Sequence, residues 1–260
     1  MSAIIVENGL VHYEALGRGK PVLFLHGWIG SWRYWMPTME AVSDRYRTYA
    51  FDLWGFGDSD KASQRYEIDS YVSLLGLFMD ELGLVKASIV GHSLGAVVGT
   101  LFAGRRPDRV DRLMTISLPL HSSLINRKLV AGGDSLLDRT MGRKQAHQVY
   151  PEVALEADKA DPNVVALSMR SMADLDVRLE MDKITRPLLM VHGEKDALVA
   201  PPPPEAMQDL EENVRQIVLR DSQHFPMLDE AAKFHRLVRD FLESDLASLV
   251  LKDEWKRRSR

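Results

Sequence analysis

A serine set between two glycines is the feature of this chain with the clearest chemical meaning. The pentapeptide GHSLG fills positions 91–95, after the apolar run 87–90 and before a helix-like run over 94–106. The glycines allow a strand and a helix to come close around a sharp turn, which holds the serine in a strained backbone conformation with its hydroxyl held out at the end of the strand. The positive end of the helix dipole lies beside that hydroxyl. Ser93 is therefore predicted to be a nucleophile that attacks a carbonyl carbon.

A nucleophilic serine needs a base to take its proton and an acid to hold that base in the right tautomer. In the chain order serine, acid, histidine, the candidates are Asp196 and His224. Asp196 follows the apolar run 187–193, and His224 follows the short run 214–219, both typical of buried strands. All three side chains come just after the carboxyl ends of predicted strands, the edge at which sites form in open parallel sheets.

Other polar residues near these motifs have simpler interpretations. Asp221 could compete as the acid, but it lies in the same turn as the histidine, and neighbours in a turn rarely face one another as the reaction needs. His26 and His192 each precede a glycine at a strand end and are interpreted as holding loops by hydrogen bonds. Asp52 and Asp58 lie in a glycine-rich turn, where aspartate usually bonds the backbone.

The elements that must position these residues follow from the pattern of the chain. Short apolar runs alternate with helical patterns, which predicts βαβ units and a mostly parallel sheet. The predicted strands cover 3–6, 10–15, 22–25, 48–51, 87–90, 110–116, 187–193 and 214–219, the first two forming an antiparallel pair. The predicted helices of this part cover 34–44, 70–82, 94–106 and 227–242.

The alternation of strands and helices stops between residues 119 and 182. This segment is helix-prone and strand-poor, with Pro151 and Pro162 as expected helix starts and Gly132-Gly133 as a flexible break. It is interpreted as a helical lid inserted into a core made of residues 1–118 and 183–260. Folded over the serine, it would exclude water and shape the pocket. Candidates for the pocket lining, with packing of the lid as the alternative for each, are Met141, Met169, Met172 and Met181.

Four further motifs add to the serine turn: His26-Gly27-Trp28, the segment DLWGFGDS over 52–59, the segment HGEKD over 192–196, and His224-Phe225. With them the chain resembles the α/β-hydrolases over nearly its whole length. The resemblance implies a mostly parallel eight-stranded sheet flanked by helices, with an inserted helical lid. One departure is Trp54, where similar proteins often carry proline, and it is expected to alter packing near the site.

The same resemblance implies roles for individual residues. Ser93, Asp196 and His224 would form a catalytic triad. The backbone N–H groups of Trp28 and Leu94 would form the oxyanion hole, in which fixed amide donors stabilise the negative charge of a tetrahedral intermediate. The expected substrate pocket is lined by Trp28, His92, Val199 and Phe225. A largely apolar pocket is also suggested by the tryptophans around the oxyanion loop, with a place in the core as their alternative: Trp28, Trp32, Trp35 and Trp54.

The expected function is a serine hydrolase that cleaves a small to medium carboxylic ester through an acyl-enzyme. A serine at residue 93, rather than aspartate, argues against the dehalogenase and epoxide hydrolase branches. Three alternatives stay open. One is a carbon–carbon bond hydrolase or a lyase like that of the menaquinone pathway, suggested by the segment HGWIGS over 26–31. The others are a cofactor-free perhydrolase or haloperoxidase, and a ligand receptor that keeps a slow triad.

Composition excludes several other classes. The chain has 260 residues, no cysteine and a formal net charge of -4. No zinc-binding spacing and no phosphate-binding glycine pattern occurs, so we expect neither a metal nor another cofactor. Dispersed basic residues and the net negative charge argue against nucleic acid as a partner. The expected partner is a small-molecule ester.

The absence of cysteine, of a signal-peptide pattern and of a long apolar run favours a cytoplasmic protein without membrane attachment. The last residues, 245–260, contain an apolar stripe and the basic tail 256–260. They are interpreted as a docked helix with a solvated end. A homodimer contact or weak binding to anionic membranes is the alternative.

Overall fold

In a computed structural model of the chain, the described residues are 2–28, 30–126, 143–173, 175–203 and 212–245. Each of the eight predicted strands forms, and all of them join one sheet. The strands are β1 (Ser2–Val6), β2 (Gly9–Gly17), β3 (Lys20–Leu25), β4 (Tyr46–Phe51), β5 (Ala87–His92), β6 (Val110–Ile116), β7 (Leu188–Gly193) and β8 (Val214–Leu219).

The strand order in the sheet is β1-β2-β4-β3-β5-β6-β7-β8. The pair β1–β2 is antiparallel, as expected for the amino-terminal hairpin, and β2–β4 is also antiparallel. All remaining neighbours are parallel. The carboxyl ends of β5, β7 and β8 therefore lie along the same edge of the sheet, and this edge receives the predicted site residues.

Helices cover both faces of the sheet. They are α1 (Met36–Val42), α2 (Ile68–Glu81), α3 (Leu94–Arg105), α4 (Arg143–Val149), α5 (Pro151–Ala157), α6 (Val164–Ser171), α7 (Arg178–Met181), α8 (Pro226–Asp229) and α9 (Ala231–Glu243). Single turns of 3₁₀-helix cover Trp32–Trp35, Ser63–Arg65, Pro107–Arg109 and Ser122–Leu124.

The two faces of the sheet belong to two apolar clusters because strand side chains alternate in direction. In β3, Leu23 and Leu25 pack in the cluster that contains α2 and α3. Val22 and Phe24 pack on the opposite face, in the cluster that contains α1 and α9. The central strands are thus buried on both sides, which explains why they read as continuous apolar runs.

Two predicted helices are divided in the structure. The predicted helix 34–44 begins as the 3₁₀ turn Trp32–Trp35 and continues as α1. The predicted helix 227–242 is split into α8 and α9, because Glu230 between them has a non-helical backbone (φ -128°, ψ 49°). The break allows the turn that carries the late histidine to pack closely before the long helix begins.

The described part of the segment between β6 and β7 contains the helices α4 to α7, joined by turns and loops. α5 begins at Pro151 as expected, and α6 follows Pro162 after a short turn. Several sequence predictions lie outside the described residues: Gly132-Gly133, Met141, the apolar stripe after Asp245 and the basic tail 256–260. Within the described part of the chain, no helix has the length and apolar character needed to cross a bilayer.

Candidate active site

Ser93 occupies the sharp turn between β5 and α3. Its backbone has φ 52° and ψ -112°, a conformation that non-glycine residues rarely adopt. The turn is held by the N–H of Ser93, which donates to the carbonyl of Ile116 at 2.8 Å. Its own carbonyl accepts from Ala96 and Val97 and so begins the helix. The strain is maintained by surrounding hydrogen bonds, as is typical of functional turns.

The two glycines of the turn are required by close contacts between backbones. A Cβ on Gly91 would lie 2.4 Å from the carbonyl oxygen of Gly95. A Cβ on Gly95 would lie 2.4 Å from the carbonyl oxygen of Leu25, at the end of β3. Neither backbone can move without separating strand from helix, so the sequence interpretation of these glycines agrees with the geometry.

Asp196 and His224 are hydrogen-bonded to each other. His224 Nδ1 lies 2.8 Å from Asp196 Oδ2. Because a carboxylate only accepts hydrogen bonds, Nδ1 carries a proton and donates to Asp196. Both residues are buried, with 8% and 7% of their surface exposed. The hydrogen bond orients the imidazole ring and leaves Nε2 as the ring nitrogen that Asp196 does not engage.

The charge of Asp196 is stabilised by several donors. Burial by itself would raise its pKa, but the charge and hydrogen bond of His224, the Val199 N–H and the Ser117 hydroxyl together lower the pKa to about 2. Ser117 Oγ donates to Oδ2 at 2.8 Å, and the N–H groups of Leu198 and Val199 donate to Oδ1 at 2.8 and 3.0 Å. The carboxylate is therefore ionised at neutral pH and can stabilise an imidazolium.

His92 connects the serine turn to the loop that carries His224. His92 directly precedes the serine, and its Nε2 lies 2.8 Å from the backbone oxygen of His224. The two imidazole rings are 4.6 Å apart between centroids. Among the described residues, no hydrogen bond joins the Ser93 hydroxyl to the His224 ring. Such bonds are often long without substrate and tighten in the reacting complex.

The backbone N–H groups of Leu94, which follows Ser93, and of Trp28, which follows Gly27, have no protein acceptor in the described part of the chain. The neighbouring donors are already engaged. Gly27 N–H donates to the Tyr34 hydroxyl at 2.7 Å, and Gly95 N–H donates to the carbonyl of His26 at 3.1 Å. Unpaired N–H groups at a helix start and an adjacent loop can hold an oxyanion.

The residues expected to line the pocket are all largely buried. Trp28 lies beside the serine turn, and its indole Nε1 donates to Ser168 Oγ of α6 at 2.9 Å. Val199 donates its N–H to Asp196. Phe225 is 1% exposed and packs against the rings of His92 and of the neighbouring aromatic residues. His92 is fully buried, with both ring nitrogens near protein hydrogen-bond partners.

The four tryptophans that the sequence placed around the oxyanion loop have different surroundings in the structure. Trp35 and Trp54 are buried in the two apolar clusters. Trp32 is partly buried against the second cluster, and the guanidinium of Arg33 stacks on it. Trp28 is hydrogen-bonded to α6 through its indole.

His26 and His192 hold loops, as the sequence suggested. His26 accepts from Leu53 N–H through Nε2 at 2.9 Å, and its Nδ1 lies 2.8 Å from the Gly27 carbonyl. Burial lowers its pKa, so the ring is neutral. His192 Nε2 lies 3.3 Å from the Leu118 carbonyl, and burial lowers its pKa to about 4.

Two contributors were missed in the sequence. Ser117 follows β6 with φ 50° and donates to Asp196. Its position just after a strand at the site edge was an available signal. Tyr34 contacts both Gly27 and His92 through its hydroxyl. No sequence signal distinguished it from an ordinary core tyrosine, because its contacts depend on how the 3₁₀ turn packs over the sheet.

A group of potential metal ligands lies elsewhere, formed by His12, Asp52 and Asp58, with ligand atoms within 4.8 Å of one another. Asp58 is already paired with Arg33 at 3.0 Å and with Lys159 at 3.5 Å. These two cations oppose the binding of a metal ion at the same carboxylate, so the group is better explained as an ion-pair cluster.

Comparison with known proteins agrees with this architecture. The family model for the alpha/beta hydrolase fold matches residues 20–160. The pimeloyl-(acyl-carrier protein) methyl ester esterase of Vibrio campbellii is 27% identical over 257 residues, covering 89% of this chain and 98% of that protein.

Two solved structures share the fold. The enol-lactonase from Burkholderia xenovorans has a TM-score of 0.81 at 21% identity and covers 94% of this chain and 100% of its own. The meta-cleavage product hydrolase from Pseudomonas fluorescens has a TM-score of 0.76 at 22% identity, with 93% and 97% covered. At these identities the two structures show the fold alone.

Proposed function

The chain belongs to the alpha/beta hydrolase family, and on that premise we propose that it is a serine hydrolase that cleaves a small to medium carboxylic ester through an acyl-enzyme. The observation that carries the proposal is the Asp196–His224 hydrogen bond of 2.8 Å at the sheet edge where Ser93 is held with φ 52°. A strained serine turn on the same sheet edge as a histidine oriented by a carboxylate is the arrangement that acyl transfer requires.

In the proposed reaction, Ser93 Oγ attacks the ester carbonyl while His224 Nε2 takes its proton. Asp196 stabilises the resulting imidazolium without taking the proton itself. The N–H groups of Trp28 and Leu94 hold the oxyanion. The imidazolium then protonates the departing alcohol, which leaves an acyl group on the serine. A water molecule activated by the same imidazole releases the acid and restores the hydroxyl.

We propose that residues 119–182 act as a lid over this site. The hydrogen bond between the Trp28 indole and Ser168 supports this role, because it joins the proposed oxyanion loop to α6. A second hydrogen bond between the segment and the core supports the lid role: the N–H of Asp161 donates to the carbonyl of Gly55 at 2.8 Å. A segment held at these places would exclude water and limit the size of the acyl or alcohol group.

The class of ester can be narrowed for testing. The Vibrio campbellii relative is named for a methyl ester, so we propose that methyl esters of carboxylic acids are among the substrates of this chain. The buried, largely aromatic surroundings of Trp28 and Phe225 favour an apolar acyl chain.

The test is a panel of p-nitrophenyl and methyl esters of increasing acyl length, assayed on the wild type and on Ser93→Ala. Ser73→Ala is the matched control, because Ser73 is an exposed serine on α2. We expect turnover that peaks at one chain length, a loss of at least about 10³-fold in Ser93→Ala, and no change in the control. Wild-type turnover in Ser93→Ala would exclude the proposed mechanism.

Three further assays, compared with the ester panel, distinguish the alternative functions. Weak ester turnover with faster cleavage of a vinylogous diketone would assign the chain to carbon–carbon bond hydrolysis. Peroxide-dependent halogenation would assign it to the perhydrolases. Negligible turnover, with ligand-dependent hydrogen-exchange protection of the segment 143–173, would assign it to the receptors.

A further inference from the structure

A continuous line of hydrogen bonds runs behind the proposed site and uses none of its proposed reacting atoms. It begins at the Gly27 N–H, which donates to Tyr34 Oη at 2.7 Å. Tyr34 Oη lies 3.0 Å from His92 Nδ1, and His92 Nε2 lies 2.8 Å from the backbone oxygen of His224. All of these polar atoms are buried.

The direction of each hydrogen bond follows from the chemistry of its partners. The His224 carbonyl can only accept, so His92 Nε2 must carry a proton and donate. Burial, helped by the nearby charge of His224, lowers the pKa of His92 well below its ordinary value, so the ring has a single proton. Nδ1 is therefore an acceptor, and the Tyr34 hydroxyl donates to it. Burial also raises the pKa of Tyr34 well above its usual value, which keeps that proton in place.

Each end of this line lies next to a group of the proposed reaction. Gly27 precedes Trp28, whose N–H is a proposed oxyanion donor. His92 precedes Ser93. The His224 carbonyl belongs to the residue whose ring is fixed at its other side by Asp196. The packing is equally close, since a Cβ on Gly27 would lie 2.8 Å from both His92 Nδ1 and Ser93 Cβ.

We propose that Tyr34 and His92 are positioning residues that hold the oxyanion loop, the serine turn and the histidine loop in one fixed geometry through the line Gly27 N–H, Tyr34 O–H, His92 and His224 C=O. The inference rests on the proposed function, because it assigns these residues to the same acyl-transfer site. Both side chains are enclosed by protein, since His92 is 0% exposed and Tyr34 is 2% exposed, and the positioning role replaces the pocket-lining role that the sequence predicted for His92.

The proposal predicts which kinetic constant the line supports. Donors and base placed by Tyr34 and His92 act on the charge that develops in the transition state, so misplacing them lowers kcat and leaves KM nearly unchanged. A displacement of about 1 Å at such a site can cost about 100-fold in rate. Loss of the Tyr34 hydroxyl should therefore lower kcat by about tenfold to 100-fold.

The experiment compares Tyr34→Phe with Tyr71→Phe. Tyr71 is an equally buried tyrosine whose hydroxyl donates to the Trp54 carbonyl at 3.1 Å, away from the serine turn. Tyr34→Phe loses two buried hydrogen bonds, with Gly27 and with His92, and Tyr71→Phe loses one, so thermal melting should record a loss of stability in both variants and a larger one in Tyr34→Phe. We expect kcat on the best ester of the panel to fall only in Tyr34→Phe, with KM within about twofold of the wild type.

Three results would overturn the proposal: wild-type kcat in Tyr34→Phe, a change confined to KM, or equal losses of kcat in the two variants. Ser93→Ala, assayed in parallel, keeps the proposals separate. If Ser93→Ala is inactive and Tyr34→Phe has wild-type kcat, only the positioning role fails. If Ser93→Ala keeps full activity, the proposed function fails first.

A second measurement uses the wild-type protein and needs no variant to fold. Long-range ¹H–¹⁵N NMR spectra distinguish the two neutral tautomers of a histidine ring. The line of hydrogen bonds requires the proton of His92 on Nε2 at neutral pH. A proton on Nδ1, or a charged His92 ring, would contradict it.

Discussion

At the scale of single residues, the site depends on how Asp196 is held. Its two carboxylate oxygens accept from His224, from the Ser117 hydroxyl and from the N–H groups of Leu198 and Val199. This arrangement fixes the carboxylate and selects the tautomer of the histidine ring. Asp221, the competing acid in the sequence, is instead exposed and paired with Lys195 at 3.0 Å.

Replacing each aspartate with asparagine in turn tests which of the two is the acid of the triad. In Asp196→Asn the amide can no longer stabilise an imidazolium and allows the wrong ring tautomer, so we expect kcat to fall by about 10⁴-fold with the protein still folded. In the control Asp221→Asn we expect wild-type kcat. Steady-state kinetics on the best ester checks both. Equal losses of kcat, or a larger loss in Asp221→Asn, would show that Asp196 is not the acid of the triad.

The low pKa of Asp196 also predicts a dependence of stability on pH. Its folded pKa is about 2 and its ordinary value is 3.8. As the pH falls, the unfolded chain binds the proton first, so the stabilisation is complete above about pH 5 and is lost as the pH falls toward 2. The difference corresponds to about 2 kcal/mol.

Urea unfolding of the wild type and Asp196→Asn between pH 7 and pH 2.5 measures this contribution. Other acidic groups titrate in both proteins and cancel in the comparison. We expect the free energy of unfolding of the wild type to decrease more than that of the variant over the acid range. Parallel pH curves for the two proteins would show that Asp196 is not specially stabilised in its charged form.

At the scale of elements, the turn between β5 and α3 sets how close a strand and a helix can lie. The clash predicted for Gly95→Ala involves the backbone of β3, which cannot rotate away as a side chain can. We expect this variant to lose about 3 kcal/mol of stability together with activity.

Gly76→Ala is the matched control for that change. Gly76 lies inside α2, and a Cβ there would meet only Phe102 at an ordinary 3.4 Å. Because alanine is the better helix former, the control should be neutral or more stable by up to ~1 kcal/mol. Chemical denaturation of both variants tests the difference. Equal stability of the two would mean that the turn tolerates a wider separation than the contacts indicate.

The inserted helices are attached to the core by an ion-pair cluster as well as by the Trp28 indole. Glu156 of α5 is 3% exposed and bonds to Arg33 at 3.0 Å and Lys159 at 2.8 Å. In Glu156→Gln the two partly exposed cations, Arg33 and Lys159, lose their buried counter-charge. We expect amide hydrogen exchange across α5 and α6 to become at least about tenfold faster, with β5 and β6 unchanged.

Glu152→Gln on the same helix is the control, because Glu152 is exposed. It should leave exchange rates at their wild-type values. Wild-type exchange rates across α5 and α6 in Glu156→Gln would mean that the ion pairs of Glu156 do not hold the segment on the core. The proposed lid would then depend on apolar packing alone.

At the scale of the whole molecule, the local elements were predictable and the arrangement among them was less so. All eight strands and the serine turn followed from apolar runs and glycine positions, because these patterns report local burial and local backbone sterics. The strand order, with β4 between β2 and β3, depends on how crossover connections pack and has no local signature.

The site shows the same division between local and long-range information. Ser93, Asp196 and His224 each follow a strand, so a parallel sheet was enough to predict that they lie on one edge. In the line through Tyr34 and His92, the hydrogen bond from His92 to His224 joins residues 132 positions apart. It exists only after the 3₁₀ turn, the serine turn and the histidine loop have packed together, and no spacing in the sequence encodes it.

The central claim is that an acyl group is carried on Ser93 during turnover, and acid-quenched mass spectrometry tests it most directly. The enzyme is mixed with a p-nitrophenyl ester of the preferred acyl length, quenched during the first turnovers, digested and mapped. We predict the acyl group on the peptide that contains Ser93, formed at least as fast as steady-state turnover. Turnover with the acyl group on another residue, or with no acylated peptide although acylation is faster than release, would contradict the account.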